Sequence, residues 1–214
     1  MSTASIYKTR EDQPKQPRRT QSERLAGTRA RILAATSSYI DEHGFHQTSL
    51  QRVAKAAGVT VGAVQHHFAS KADLLAAVLE QGFQSLSFDL EQAQTEGASM
   101  EERISLFVEL SWKHCNSPQY QSNLHILLGM RKEEAVNFER WLNETLGHLV
   151  QQGFSLWRRM FGDVKLSEAE HFNIMLYCFS SLSGTALLAR ISQSPERVDS
   201  DLRELKKLLL LRFT

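Results

Sequence analysis

Serine and threonine recur along this chain where helices must begin. Their side chains accept the unpaired backbone N–H groups of a helix's first turn, and an acid or amide three residues later reciprocates. Thr48 to Gln51, Ser70 to Asp73, Ser99 to Glu102 and Ser167 to Glu170 have this form. Ser117-Pro118 and Ser194-Pro195 put proline at a first helical position, and Thr60 marks a seventh start without a reciprocating acid. Helical periodicity fills the intervals, and no convincing strand alternation appears. The pattern predicts an all-α fold of about nine helices, near 22–42, 49–56, 61–67, 71–95, 100–115, 118–130, 133–161, 168–192 and 195–213. No internal repeat is visible.

Charge is divided unevenly. The 214 residues carry a net charge of only +1, but residues 1–72 hold 11 Lys and Arg against 5 Asp and Glu, a net +6. The remainder holds 14 against 19, a net −5. Such asymmetry points to a polyanion at the basic end. A basic tail alone is the plainer explanation, but Arg29, Arg31, Arg52, Lys55 and Lys71 lie beyond it. Residues 1–20 are polar, with Pro14 and Pro17, and read as a flexible arm. Cys115 and Cys178 are too few for a disulfide framework and match no zinc spacing, which suits a reducing compartment. No apolar run follows the basic N-terminal residues, and no stretch approaches the ~18 apolar residues of a membrane span. A soluble, cytoplasmic protein with no metal, cofactor or membrane partner is expected.

Residues 48–68 are the most informative segment. Val53, Ala54 and Ala57 make an apolar edge on one short helix, and Gly58 ends it in the left-handed conformation that costs glycine little. Val59 fills the turn, Thr60 caps a second short helix, and Val64 faces back to the core. Ala54 must be small because the second helix crosses close to it. An ordinary helical hairpin could have this spacing, but it is also what a helix-turn-helix requires. Around it, Arg52 and Lys55 sit on the first helix, and Thr60, Val61, Ala63, Gln65 and His66 line the outward face of the second. Gln pairs with adenine through two hydrogen bonds, and Ala or Val touches a thymine methyl. Gly62 leaves room for the backbone to approach DNA.

On these residues the segment 28–78 resembles the DNA-binding domain of the TetR family of repressors. The family's first-helix pattern of Arg, Ile-Leu and Ala-Ala is matched over Arg29 to Ala35 with one register variation. Its turn is matched by Ala57-Gly58-Val59-Thr60, and its second helix and exit by Gly62 to Lys71. The resemblance implies a homodimer that binds double-stranded DNA at a palindromic operator, with the C-terminal part binding a small ligand. It also implies phosphate contact by Lys71 at the start of the fourth helix, where the helix dipole suits an anion. The family's Tyr in the second helix is replaced by Gln65, which keeps a hydrogen-bond donor and loses the aromatic face. Thr48 is expected to cap its helix and reach a phosphate, whereas His67 and Phe68 are expected to pack the domain together.

This gives an arm over 1–20, a DNA-binding domain over 21–72 and a ligand-binding and dimerisation domain over 73–214. In the last, Phe107, Trp112, His125, Trp141 and Tyr177 join apolar bodies to polar tips or flank the core stripe, and are the candidate lining for a small hydrophobic or amphipathic ligand. The helix near 168–192 is apolar on two faces, and the last helix is richer in leucine than one core face needs. A two-fold interface through Leu182, Gly184, Ala186, Leu205 and Leu209 is therefore expected, a larger monomer core being the alternative. The expected function is a repressor released from its operator by a small molecule. A DNA-binding regulator controlled by a protein partner is the second reading. Catalysis finds little support. Cys115 and His114 are neighbours on a helix and point ~100° apart, and there is no phosphate loop, metal cluster or nucleophile elbow.

Overall fold

The computed structural model describes residues 20–129, 136–192 and 194–214, with side chains described in the second of these from residue 147 onward. Among them are nine α-helices and no strand. These are α1 (Gln21–His43), α2 (Leu50–Ala57), α3 (Val61–His67), α4 (Lys71–Glu91), α5 (Met100–Cys115), α6 (Pro118–Gly129), α7 (Val136–Phe161), α8 (Glu168–Ser192) and α9 (Pro195–Phe213). A short 3-10 turn, Phe45–Gln47, which periodicity did not show, joins α1 to α2.

Capping chemistry sets most of these starts. Ser99 and Glu102 form a complete reciprocal cap, with Ser99 N–H donating to Glu102 Oε2 at 2.7 Å. Ser167 and Glu170 repeat it at 2.9 Å. Two starts differ from expectation. Thr20 caps α1, two residues ahead of Ser22, its Oγ1 accepting from Glu23 N–H at 3.2 Å. Ser49, not Thr48, caps α2, accepting from Arg52 N–H at 3.3 Å. At the other end of α2, Gly58 has φ 64 and ψ 38, the left-handed turn expected there.

Two apolar cores result. The first gathers Ile32, Leu33 and Ile40 of α1, Phe45, Val53 and Ala54, Val64, Phe68, and the early α4 residues Leu74 to Leu79. It also takes Ile126 from α6. The second gathers Leu86 and Leu90 of late α4 with residues from α5, α7, α8 and α9. Thus α4 contributes to both cores. Inside the second core, Trp157 Nε1–H donates to His171 Nδ1 at 3.2 Å, and His171 Nε2 lies 3.2 Å from Val164 O. A tryptophan nitrogen only donates, so the neutral imidazole carries its proton on Nε2 and gives it to that carbonyl.

The two cores are tied together by polar contacts that use α6 and α8. Ser37 Oγ of α1 lies 2.7 Å from Ser122 Oγ of α6, in a buried setting. Gln119 Nε2 donates to Val78 O at 3.0 Å, and Arg190 of α8 pairs with Asp41 of α1 at 2.9 Å.

Against the sequence expectation, α8 is long and apolar enough to cross a membrane by length and composition. One of its faces is core: His171, Met175, Cys178, Leu182 and Ala186 recur every three or four residues and are buried. The opposite face, with Leu176, Tyr177, Leu187, Leu188 and Ile191, is exposed.

Candidate nucleic-acid interface and ligand cavity

The outward side of α2 and α3 is built by the turn that joins them. Thr60 Oγ1 accepts from Ala63 N–H at 3.1 Å, which fixes the start of α3. Val64 is fully buried and anchors the helix. Val61 packs partly against the same core. With Val64 fixed inward, Gln65, His66 and Gly62 lie exposed, and Ala63 is half-buried. No side chain crowds Gly62 apart from the cap, Thr60 Oγ1, at 3.9 Å from where a Cβ would sit. Arg52 is held by the turn before α2, its Nη1 donating to Gln47 O at 2.7 Å. Lys71 Nζ sits 4.7 Å from the centre of the Phe45 ring.

Thr48 departs from expectation. It is 3% exposed, and its hydroxyl donates to Gly44 O at 3.2 Å. A side chain so enclosed offers nothing to a phosphate, and Ser49 has taken the capping role. Phe68 is buried beneath the Arg29 guanidinium at 5.3 Å. Burial, with the neighbouring charges of His66 and Arg29, lowers the His67 pKa below its usual value.

Residues 32–78 match the family described as bacterial regulatory proteins, tetR family. Over these residues the chain resembles the TetR family of transcriptional regulators. The regulator UidR of Escherichia coli K12 is 39% identical over 54 residues, covering 25% of this chain and 28% of that protein. The match therefore spans about a quarter of the curated relative's length. A transcriptional regulator from Rhodococcus sp. RHA1 superposes with a TM-score of 0.68 at 20% identity, over 86% of this chain and 96% of the other. The fatty acid degradation regulator FadR of Bacillus halodurans gives 0.64 at 20% identity, over 86% and 94%. At that identity the likeness shows a shared fold.

Away from that segment, the C-terminal core contains a partly enclosed cavity of about 170 Å³. Late α4 supplies Phe83, Leu86, Ser87 and Leu90, and α8 supplies Met175, Leu176 and Phe179. The α7 residues Leu149, Val150 and Gly153 form another wall, and His114 of α5 and Tyr120 of α6 bring polar atoms. The two rings meet edge to face, 5.1 Å between centres. Burial pushes the His114 pKa down to about 4, with Asp89 opposing. Burial also pushes the Cys115 thiol up to about 12 and raises the Tyr120 phenol. All three groups are therefore uncharged at neutral pH.

None of the four described ligand candidates, Phe107, Trp112, His125 and Tyr177, lines this cavity. Phe107 lies in the core between Trp157 and Phe161. Trp112 borders a surface groove with Arg190 and Pro195, and Tyr177 borders another between α8 and α9. His125 is exposed on α6, and the side chain of Trp141 lies outside the described residues. The cavity residues are not apparent in the sequence because they are spread over five helices.

The expected dimer residues also need correction. Leu182, Ala186, Leu205 and Leu209 are 1%, 0%, 5% and 3% exposed in a single chain, which leaves them no surface for a partner. Of the five, Gly184 alone is exposed, with no neighbour within 4 Å of a Cβ position. The uncovered apolar surface is the other side of the same helices: Leu187, Leu188 and Ile191 on α8, and Leu208 and Leu211 on α9.

Proposed function

We propose that this chain is a dimeric repressor that binds a palindromic operator through α3 and releases it when a small molecule fills the C-terminal cavity. The observation that carries the reading is a helix-turn-helix whose outward face presents Arg52, Thr60, Gly62, Gln65 and His66 on a basic head. Gln65 and the methyl groups of Val61 and Ala63 suit base edges in the major groove, while Arg52 and Lys71 suit backbone phosphates. The head comprises residues 21–72 and the ligand and pairing unit residues 73–214, with 1–20 as a basic arm beside the DNA. The protein works in the cytoplasm, where operator DNA is found, without a membrane partner.

Pairing supplies the second half-site. Two copies joined through the exposed leucines of α8 and α9 would set their recognition helices about one DNA turn apart, or a multiple of it. The cavity and the head share two elements. α4 begins at Lys71 and reaches the cavity at Phe83, and α6 places Tyr120 at the cavity and Ile126 in the head's core. A ligand that favours one setting of these helices shifts the population toward or away from the DNA-binding spacing. The partly enclosed cavity favours this over control by a protein partner alone.

Selection from a random duplex library, followed by affinity measurement over a salt series, tests the reading. An inverted repeat with half-sites spaced by whole helical turns is expected, with affinity falling steeply as salt rises. A protein that stays monomeric and selects no duplex at low salt would refute it.

A further inference from the structure

The chemistry of the cavity narrows its ligand, an inference that rests on the ligand-responsive reading above. Among the described residues around it there is no Lys, Arg, Asp or Glu. The nearest acid acting on His114 is Asp89, whose carboxylate is paired with Lys113 at 3.1 Å. Among these described residues an ionised ligand would find no counter-ion, and burying an unpaired charge is the costliest form of desolvation.

Three described lining residues bring polar side-chain groups, Ser87, Tyr120 and His114, and that of Tyr120 is already occupied. Ser183 Oγ donates to Phe179 O at 2.6 Å, so its single proton is committed. Tyr120 Oη, in contact with Ser183 Oγ, must then be the donor in that pair. Its proton is spent as well. His114 makes no side-chain hydrogen bond with any described residue, yet its ring lines the cavity. A neutral imidazole has one N–H donor and one lone-pair acceptor to offer. It is matched by a hydroxyl or carbonyl on the ligand, and a lone apolar group would leave it unsatisfied.

Size sets the other limit. A cavity of about 170 Å³ is close to the ~150 Å³ apolar cavity that accepts a benzene ring. Phe83, Tyr120 and Phe179 offer ring faces and edges to such a guest. We propose that the cavity binds an uncharged molecule of single-ring size carrying one hydroxyl or carbonyl, which is anchored by a hydrogen bond to His114. Carboxylates are disfavoured by the same lining.

Calorimetry on the full chain at pH 7.5 with 4-methylphenol, toluene and 4-methylbenzoate tests this, since the three probes share a ring and differ in the polar group. 4-Methylphenol is expected to bind at least fivefold more tightly than toluene and at least thirtyfold more tightly than 4-methylbenzoate. In His114→Leu the phenol should fall to the level of toluene while toluene itself still binds, which shows that the cavity is intact. Carboxylate binding within threefold of the phenol, a phenol preference that survives His114→Leu, or no binding by any of the three overturns the inference. Operator affinity is read separately. If 4-methylphenol binds in the expected pattern and the operator complex does not change, the ligand-responsive reading fails and the assignment of the cavity stands.

Discussion

Replacing His114 with glutamine should make the protein less sensitive to mild acid. In the unfolded chain a histidine titrates near its ordinary value of about 6.5. In the folded chain burial holds His114 at about 4. Between those values the unfolded state binds a proton that the folded state refuses, so folding loses stability as pH falls from about 6.5 to about 4. Each pH unit of that gap corresponds to about 1.4 kcal/mol, which gives a total of about 3 kcal/mol. A glutamine side chain at this position has no proton to gain and removes this component, whatever constant packing cost it adds. Urea unfolding of both proteins at one fixed concentration, from pH 7.5 to pH 4.5, provides the measurement. The stability difference between variant and wild type should move in favour of His114→Gln by roughly 2–3 kcal/mol across that range. Because carboxylates and the other histidines titrate alike in both proteins, they cancel. Parallel curves would show that His114 takes up its proton freely when folded, and the neutral cavity argument would fail with it.

Other outcomes follow from the same structure. Leu188→Glu combined with Ile191→Glu, at positions 53% and 72% exposed in one chain, should leave the fold intact and yield monomers in sedimentation; a persistent dimer would move the interface elsewhere. Lys71→Gln should weaken binding to all duplexes alike and lower the salt slope by about one, whereas Gln65→Ala should cost about 1–3 kcal/mol at one base pair and relax selectivity there. Equal effects of both on every sequence would refute the division into phosphate and base contacts. Gly129→Ala places a Cβ 2.6 Å from Cγ of the Phe45 ring, so it should destabilise the head by about 1–3 kcal/mol in thermal unfolding; an unchanged melting temperature would mean that this helix end moves away freely.

Local chemistry made the helices legible. Ser70, Ser99 and Ser167 bond the backbone of residues three positions away, and such contacts depend on the chain's nearest neighbours alone. Thr48 was misread for Ser49 because either hydroxyl could cap α2, and only burial of the Thr48 side chain decided between them. Periodicity showed that α8 has two apolar faces, but it could not tell which one the chain keeps for itself. Met175 and Leu182 turned inward against α5 and α9, leaving Leu188 and Ile191 outside. The cavity was the least legible feature, since Phe83 and Phe179 become neighbours only through packing of helices almost a hundred residues apart. In the head, by contrast, the outward face of α3 could be read directly, because one buried residue, Val64, fixes the orientation of all seven residues of α3.

The participation of α4 in both cores has a mechanical consequence. Its 21 residues form a rod of about 30 Å. If such a rod pivots by ~5° at Phe83, where it meets the cavity, its tip at Lys71 swings through roughly 1.6 Å, and in the proposed symmetric pair that doubles at the two grooves. On the proposed reading, a guest no larger than one ring, displacing side chains by fractions of an ångström, would thereby spoil the fit to a double helix whose groove spacing cannot stretch to follow.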